Sequence, residues 1–190
     1  MTDRVRIGPL LPTHRSQVEA IVRATNVFSE DEVDVALEVF DEANGKWRIE
    51  NGKWEDGEAH SPFSILQSSS GYEFVGAFEA DRLIGYACFG ATPATDNTFD
   101  LYWIAVHPDA QGSGAGSALM TEVEHRLAQR RARLLVVETS SRDDYAPTRR
   151  FYEKRGYNQS ARIRDFYASG DDRLVLTKHL IAPGALTRSA

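Results

Sequence analysis

Between Ala105 and Leu127 the chain reads AVHPDAQGSGAGSALMTEVEHRL, and three of the five positions from Gly112 to Gly116 are glycine. The run before it, TFDLYWIAV from Thr98 to Val106, is rich in aromatic and β-branched residues and reads as a strand. Behind it Leu119, Met120, Val123 and Leu127 recur at helical spacing, with Glu122, Glu124 and Arg126 turned away from that stripe. Glycine inside an element costs about 0.5–1 kcal/mol against alanine, so a cluster here marks a junction that needs bare backbone. A strand, a glycine turn and a helix start in succession leave several N–H groups unpaired at the positive end of the helix dipole. Such a corner suits an anion, phosphate above all. It also restricts the chain to folds that mix strands with helices.

Several ligands use corners of this kind. A phosphate-loop NTPase needs Gly-Lys-Ser/Thr at the end of the loop, and no lysine stands before Ser117 here. A dinucleotide fold needs Gly-x-Gly-x-x-Gly. Gly112 and Gly114 fit, Ser117 replaces the third glycine, and Pro108 separates strand from loop. Glu138 stands at about the right distance for a ribose-binding carboxylate, so a nicotinamide-dinucleotide binder stays open. A glycine-rich turn without a ligand is the bland alternative.

The rest of the chain supplies the context. DRVRIGPL alternates Val5 and Ile7 with charged residues and predicts a strand. PTHRSQVEAIVRAT places Val18, Ile21 and Val22 on one helical face. Ser29 and Glu32 form a capping-box pattern ahead of Val33, Ala36, Leu37 and Phe40, with Gly45 as the stop. From Lys46 to Gly71 the sequence is polar, with Trp47, Trp54 and Phe63 scattered through a long irregular connection that could line a site. YEFVGAFEADRLIGYACFG predicts two strands joined by a turn at Ala80–Arg82, and RLLVVET a buried strand. SSRDDYAPTRRFYEKRGY predicts a loop and a short helix, with Pro147 near its start and Gly156 past its end. RLVLTKH predicts a late strand. The order is β-α-α-β-β-β-α-β-α-β, an α/β (α+β) layer with a largely antiparallel first half. One domain is expected over residues 1–180, with a loose tail from 181 to 190.

Composition excludes some classes. The 190 residues carry a formal net charge of −6, which disfavours non-specific nucleic-acid binding. No apolar run is long enough for a membrane helix, and the N-terminus lacks the apolar stretch of a signal peptide. A lone cysteine, Cys88, makes no internal disulfide, and its setting in LIGYACFG reads as a small core residue rather than a nucleophile. A cytoplasmic protein is the expectation. The five histidines show no metal-ligand spacing, so no metal is assigned.

Two segments together carry a resemblance. Gln111-Gly112-Ser113-Gly114-Ala115-Gly116 matches the Q/R-x-x-G-x-G/A signature of the GNAT superfamily of acyl-CoA-dependent N-acetyltransferases. IAVHPDA resembles that family's strand-plus-Val-x-Pro lead-in, and RRFYEKRGY resembles its late helix, which commonly ends Tyr-Glu-x-x-Gly-Phe/Tyr. The likeness runs from about Glu73 to Leu180. It implies a mixed, mostly antiparallel sheet of about six to seven strands with a central splayed parallel pair, flanked by about four helices.

The resemblance also implies a chemistry. Backbone N–H groups of Gln111, Gly112, Ser113, Gly114, Ala115 and Gly116, with Ser117, would hold the pyrophosphate of acetyl-CoA as co-substrate. Strand-edge backbone at Ile104, Ala105 and Val106 would pair with the pantetheine arm, and an N–H near Val106 would polarise the acyl carbonyl. Arg149, Arg150 and Lys154 are candidate cations for the CoA phosphates. Tyr152 occupies the position of the family's general-acid tyrosine, where it would also touch CoA. Asp100 and Glu138 compete as the base that deprotonates the amine, Glu138 by a narrow margin. Many relatives carry an asparagine seven residues before the tyrosine, where this chain has Tyr145. RDFYASGDD falls where relatives build an acceptor-side hairpin, and Asp165, Asp171 and Asp172 could meet a cationic acceptor or simply form a turn.

The function implied is acetyl transfer from acetyl-CoA to a primary amine by direct attack in a ternary complex. A small-molecule acceptor is preferred over a protein, and a homodimer stays open. The alternatives are a non-catalytic CoA-binding sensor or interaction module, and the dinucleotide binder.

Overall fold

The computed structural model describes residues 5–44, 49–50, 53–54 and 71–180. Trp47, Phe63 and most of the polar connection lie outside the described residues, as does the tail from Ile181 to Ala190.

Among the described residues the order is β1 (Arg6–Gly8), α1 (Arg15–Ala24), α2 (Glu30–Ala43), β2 (Ile49–Glu50), β3 (Lys53–Trp54), β4 (Tyr72–Glu79), β5 (Arg82–Ala91), β6 (Thr98–Val106), α3 (Ala115–Gln129), β7 (Leu134–Ser140), α4 (Ala146–Lys154), β8 (Asn158–Ala168) and β9 (Asp171–His179). Seven strands form a sheet in the order β1-β4-β5-β6-β7-β9-β8, and β2 and β3 form a two-residue ladder apart from it. β1–β4, β4–β5, β7–β9 and β8–β9 are antiparallel, whereas β6 and β7 run parallel. The fold is therefore mixed α/β, with a parallel pair inside a mostly antiparallel sheet.

Contacts group the chain into two compact units, with the boundary passing through the end of β5 after Gly90, through β6 after Tyr102 and through α3 after Val123. In the first unit α1 buries Val18, Ile21 and Val22, and α2 buries Val33, Ala36, Leu37 and Phe40, the stripes set by their helical spacing. Ser29 and Glu32 form the capping box reciprocally: Ser29 Oγ accepts from the Glu32 N–H and Glu32 accepts from the Ser29 N–H. The Phe40 ring meets Phe74 of β4 edge-on at 5.3 Å. Cys88 is fully buried in this core, as its apolar neighbours in sequence suggest.

The second unit holds the start of β6, the end of α3, and β7, α4, β8 and β9. Two features depart from the sequence reading. β8 is a separate eleven-residue strand, and all eleven of its residues are exposed. Periodicity misses it because a strand with no buried face carries no apolar alternation. Glu124 does not turn to solvent. Its side chain, only 17% exposed, accepts from Tyr157 Oη at 3.1 Å and from Lys178 Nζ at 2.8 Å, with Arg155 at 3.7 Å. Its cations come from α4's C-cap and from β9, which helix periodicity does not reveal.

Candidate active site

In the first unit β6 leads through the turn Pro108–Ala110 into the glycine loop, and α3 starts at Ala115. The His107 N–H donates to Ile84 O at 2.8 Å, which fixes the end of β6. Gly112 and Gly114 have φ of +82° and +89°, a region that L side chains rarely enter, so the loop requires glycine there. A Cβ built on either would meet nothing within 4 Å, so the requirement is backbone conformation and the space above the loop is open. Ser113 N–H donates to Ala110 O, Ala115 N–H to Ser113 Oγ, and Ala118 N–H to Gly114 O. No acceptor is recorded among the described residues for the N–H groups of Gly112, Gly114, Gly116 and Ser117. Gln111 and Ser113 are exposed, and Ala115 packs inward. The loop thus presents several donors at a helix start, the arrangement an anionic phosphate needs. Ala105 is buried in β6, between half-buried Ile104 and Val106.

The second unit carries the carboxylates and the phenol. Register pairs between β6 and β7 run from Thr98↔Leu134 to Leu101↔Val137, while β6 continues to Val106 and β7 to Ser140. Asp100 faces Val136 across this ladder, so alternation puts Asp100 and Glu138 on the same sheet face, on neighbouring strands. Asp100 is half-buried and accepts a hydrogen bond from Thr92 Oγ1 at 2.7 Å. Glu138 is ion-paired with Arg173 of β9, with side-chain exposures of 40% and 26%. The Arg173 guanidinium also lies 4.7 Å above the ring of Phe166, which is 46% exposed.

Tyr152 sits on α4, a helix with Pro147 in its first turn and Gly156 just past its end. It is 3% exposed and packs edge-on against Phe151 and Tyr157 at 5.4 and 5.5 Å. Burial pushes its phenol well above the ordinary range, so it stays protonated at neutral pH.

The remaining candidates separate. Arg149 NH1 donates to the carbonyls of Ser140 and Arg142, at 2.8 and 2.6 Å, so its guanidinium is spent on the loop after β7. Arg150 and Lys154 are exposed. The acidic turn is structural. Asp171 accepts from Ser140 Oγ, Asp172 pairs with Arg162 and accepts from the Asp165 N–H, and Asp165 accepts from the Gly170 N–H. Asp171 and Asp172 are buried, which withdraws them from a solvent-borne cation. Arg173 and Thr92 went unnoticed in the sequence. Their importance rests on β9 lying beside β7 and on the β5–β6 loop folding back, which no local pattern shows. Among the described residues no group of His, Cys, Asp and Glu could hold a metal ion, and no helix is long and apolar enough to cross a membrane.

A mixed sheet with one parallel pair, and a glycine loop opening a helix after the first of those strands, agree with the fold that the GNAT resemblance implies. Residues 37–157 match the Acetyltransferase (GNAT) family, and the chain belongs to that family. A GNAT-family protein from Desulfovibrio desulfuricans is 40% identical, with a TM-score of 0.79 over 93% of this chain and 99% of that one. The structure of yncA from Salmonella typhimurium with its cofactor acetyl-CoA is 17% identical, with a TM-score of 0.67 over 97% and 98% of the two chains. PaiA N-acetyltransferase from Thermoplasma acidophilum, in complex with coenzyme A, is 16% identical, with a TM-score of 0.62 over 92% and 98%. No curated protein sequence matches significantly.

Proposed function

We propose that this protein is an N-acetyltransferase that moves an acetyl group from acetyl-CoA to the primary amine of a small molecule. The observation that carries the reading is the loop at the start of α3, with two left-handed glycines and N–H groups at Gly112, Gly114, Gly116 and Ser117 that have no recorded acceptor. Those donors, with Gln111, Ser113 and Ala115 shaping the turn, fit a pyrophosphate. The backbone of Ile104, Ala105 and Val106 offers an edge for the pantetheine amides, and a donor near Val106 suits the acyl oxygen.

When bound, acetyl-CoA supplies a thioester whose carbonyl carbon the amine attacks. The N–C bond forms, the C–S bond breaks, and a thiol leaves. An alkyl ammonium holds its proton up to pH ~10, so a base must take it first. Asp100 is our choice for that base: its recorded partner is one neutral hydroxyl, whereas Glu138 is committed to a guanidinium. Tyr152, held protonated by burial, donates toward the departing sulfur.

The test is thiol release from acetyl-CoA across a panel of small amines, with calorimetry of acetyl-CoA and NAD side by side. Acetyl-CoA binding with amine-dependent thiol release is expected. Acetyl-CoA binding with no release on any amine would favour a sensor module, and binding of NAD alone would refute the loop assignment.

A further inference from the structure

We infer that the acceptor carries a carboxylate beside its amine, and that Arg173 is the residue that selects it; this rests on the acetyltransferase reading above. Arg173 of β9 pairs in register with Ser140, which puts it on the sheet face that holds Asp100 and Glu138. Arg173 follows Asp171 and Asp172, both buried and engaged, yet its own side chain is 26% exposed. Several cations of this region are taken, while Arg164 of β8 is exposed to solvent. Arg162 pairs with Asp172, Arg142 with Asp144, Arg149 binds two carbonyls, and Lys178 binds Glu124. A guanidinium has five N–H donors in a flat fork. For Arg173 a single acceptor is recorded among the described residues, Glu138, and its Nε is buried with none.

Two contacts position the fork. Glu138 takes one side, and the Phe166 ring lies under its plane at 4.7 Å. A guanidinium set over an aromatic ring and fixed by a carboxylate is pre-organised, so a second carboxylate loses less entropy in binding it. Beside it Phe166 and Ile163 of β8 are large apolar side chains left exposed, and Tyr102 of β6 is exposed as well. On the same face Asp100, whose recorded partner is the Thr92 hydroxyl, supplies negative charge for an ammonium. A guanidinium, the Asp100 carboxylate and exposed apolar side chains match an α-amino acid with an apolar side chain. A plain alkyl amine would leave Arg173 unused, and a polyamine would meet it as a like charge.

The experiment compares L-leucine, leucinamide and 3-methylbutylamine as acceptors in the thiol-release assay, for the wild type and for Arg173→Met and Arg173→Lys. L-Leucine is expected to exceed both comparators at least tenfold in kcat/KM. Arg173→Met should bring that ratio to within about twofold, and Arg173→Lys should restore part of it, which loss of folding would not produce. Equal rates for the three acceptors in the wild type, or a preference that survives Arg173→Met, overturn the inference and leave acetyl transfer standing. Saturation-transfer NMR with the same three compounds, in the presence of CoA, reads binding without turnover. Carboxylate-dependent binding that disappears in Arg173→Met, with no thiol released, sustains the acceptor site and removes the acetyltransferase reading. No difference in binding among the three removes the acceptor site.

Discussion

The proposed reaction gives Tyr152 and Asp100 complementary duties, and single-atom changes separate them. Tyr152→Phe deletes only a hydroxyl from a ring packed between Phe151 and Tyr157, so the local packing survives. If that hydroxyl protonates the leaving sulfur, turnover falls at least tenfold while the Kd for acetyl-CoA changes less than twofold, the mark of an interaction made in the transition state. Stopped-flow rates and calorimetry on the same variant check both numbers. Asp100→Asn keeps a partner for Thr92 and removes the proton acceptor. We expect a rate loss of ~100-fold at pH 7, the usual scale for a general base. The loss should shrink as pH approaches the pKa of the amine, because the acceptor then arrives deprotonated. A flat defect from pH 7 to 10 would assign Asp100 a structural part.

At the scale of elements, the glycine loop and α3 work as one unit. Gly114→Glu places a charged side chain where φ is +89° and where the space above the loop is open. The variant should weaken acetyl-CoA binding at least tenfold, about 1.4 kcal/mol, by equilibrium titration. Gly114→Ala meets the same backbone demand without the charge, and should lose less. This loop was fully legible in the sequence, since glycine density, a preceding strand and a following apolar stripe are all local signals. α2 was equally legible, because its capping box and its stripe lie within one stretch. β8 was not, since strand pairing with β9 holds it and no side chain of its own is buried. The helix that carries Tyr152 was readable from Pro147 at its start and Gly156 past its end. The pairing of Glu138 with Arg173 was invisible, because it joins residues 35 apart through the β7–β9 register, in which Glu138 faces Val175 and Ser140 faces Arg173.

Across the whole molecule, four buried acids govern behaviour in alkali. Burial raises the pKa of Tyr86, Tyr152, Tyr157 and Cys88, with Glu124 adding to the shift at Tyr157 and Glu73 at Cys88. In the unfolded chain these groups release protons near their ordinary values, 9.0 for the thiol and 10.0 for the phenols. The folded chain then holds more protons than the unfolded one, so stability falls as pH rises. Their contribution is complete below about pH 9 and declines above it, on the order of 1.4 kcal/mol per group per pH unit. Thermal melts between pH 8 and 11 should show a Tm that drops progressively above pH 9, with a shallower slope in Tyr157→Phe. A level Tm over that range would contradict the burial of these side chains.

β8 invites a different question, about inheritance. It ends the sheet with eleven exposed side chains, and β9 pairs with its backbone on one side alone. Selection for stability therefore acts on its geometry and barely on its letters. Outward positions such as Gln159 and Ala161 are free to drift, while Arg162 is tethered to Asp172 and Phe166 lies under Arg173. A lineage could rewrite most of this strand, and with it the rim next to Arg173, without touching the core. If Arg173 selects the acceptor as inferred, the edge of the sheet is where descendants of this chain can acquire new tastes at little structural risk.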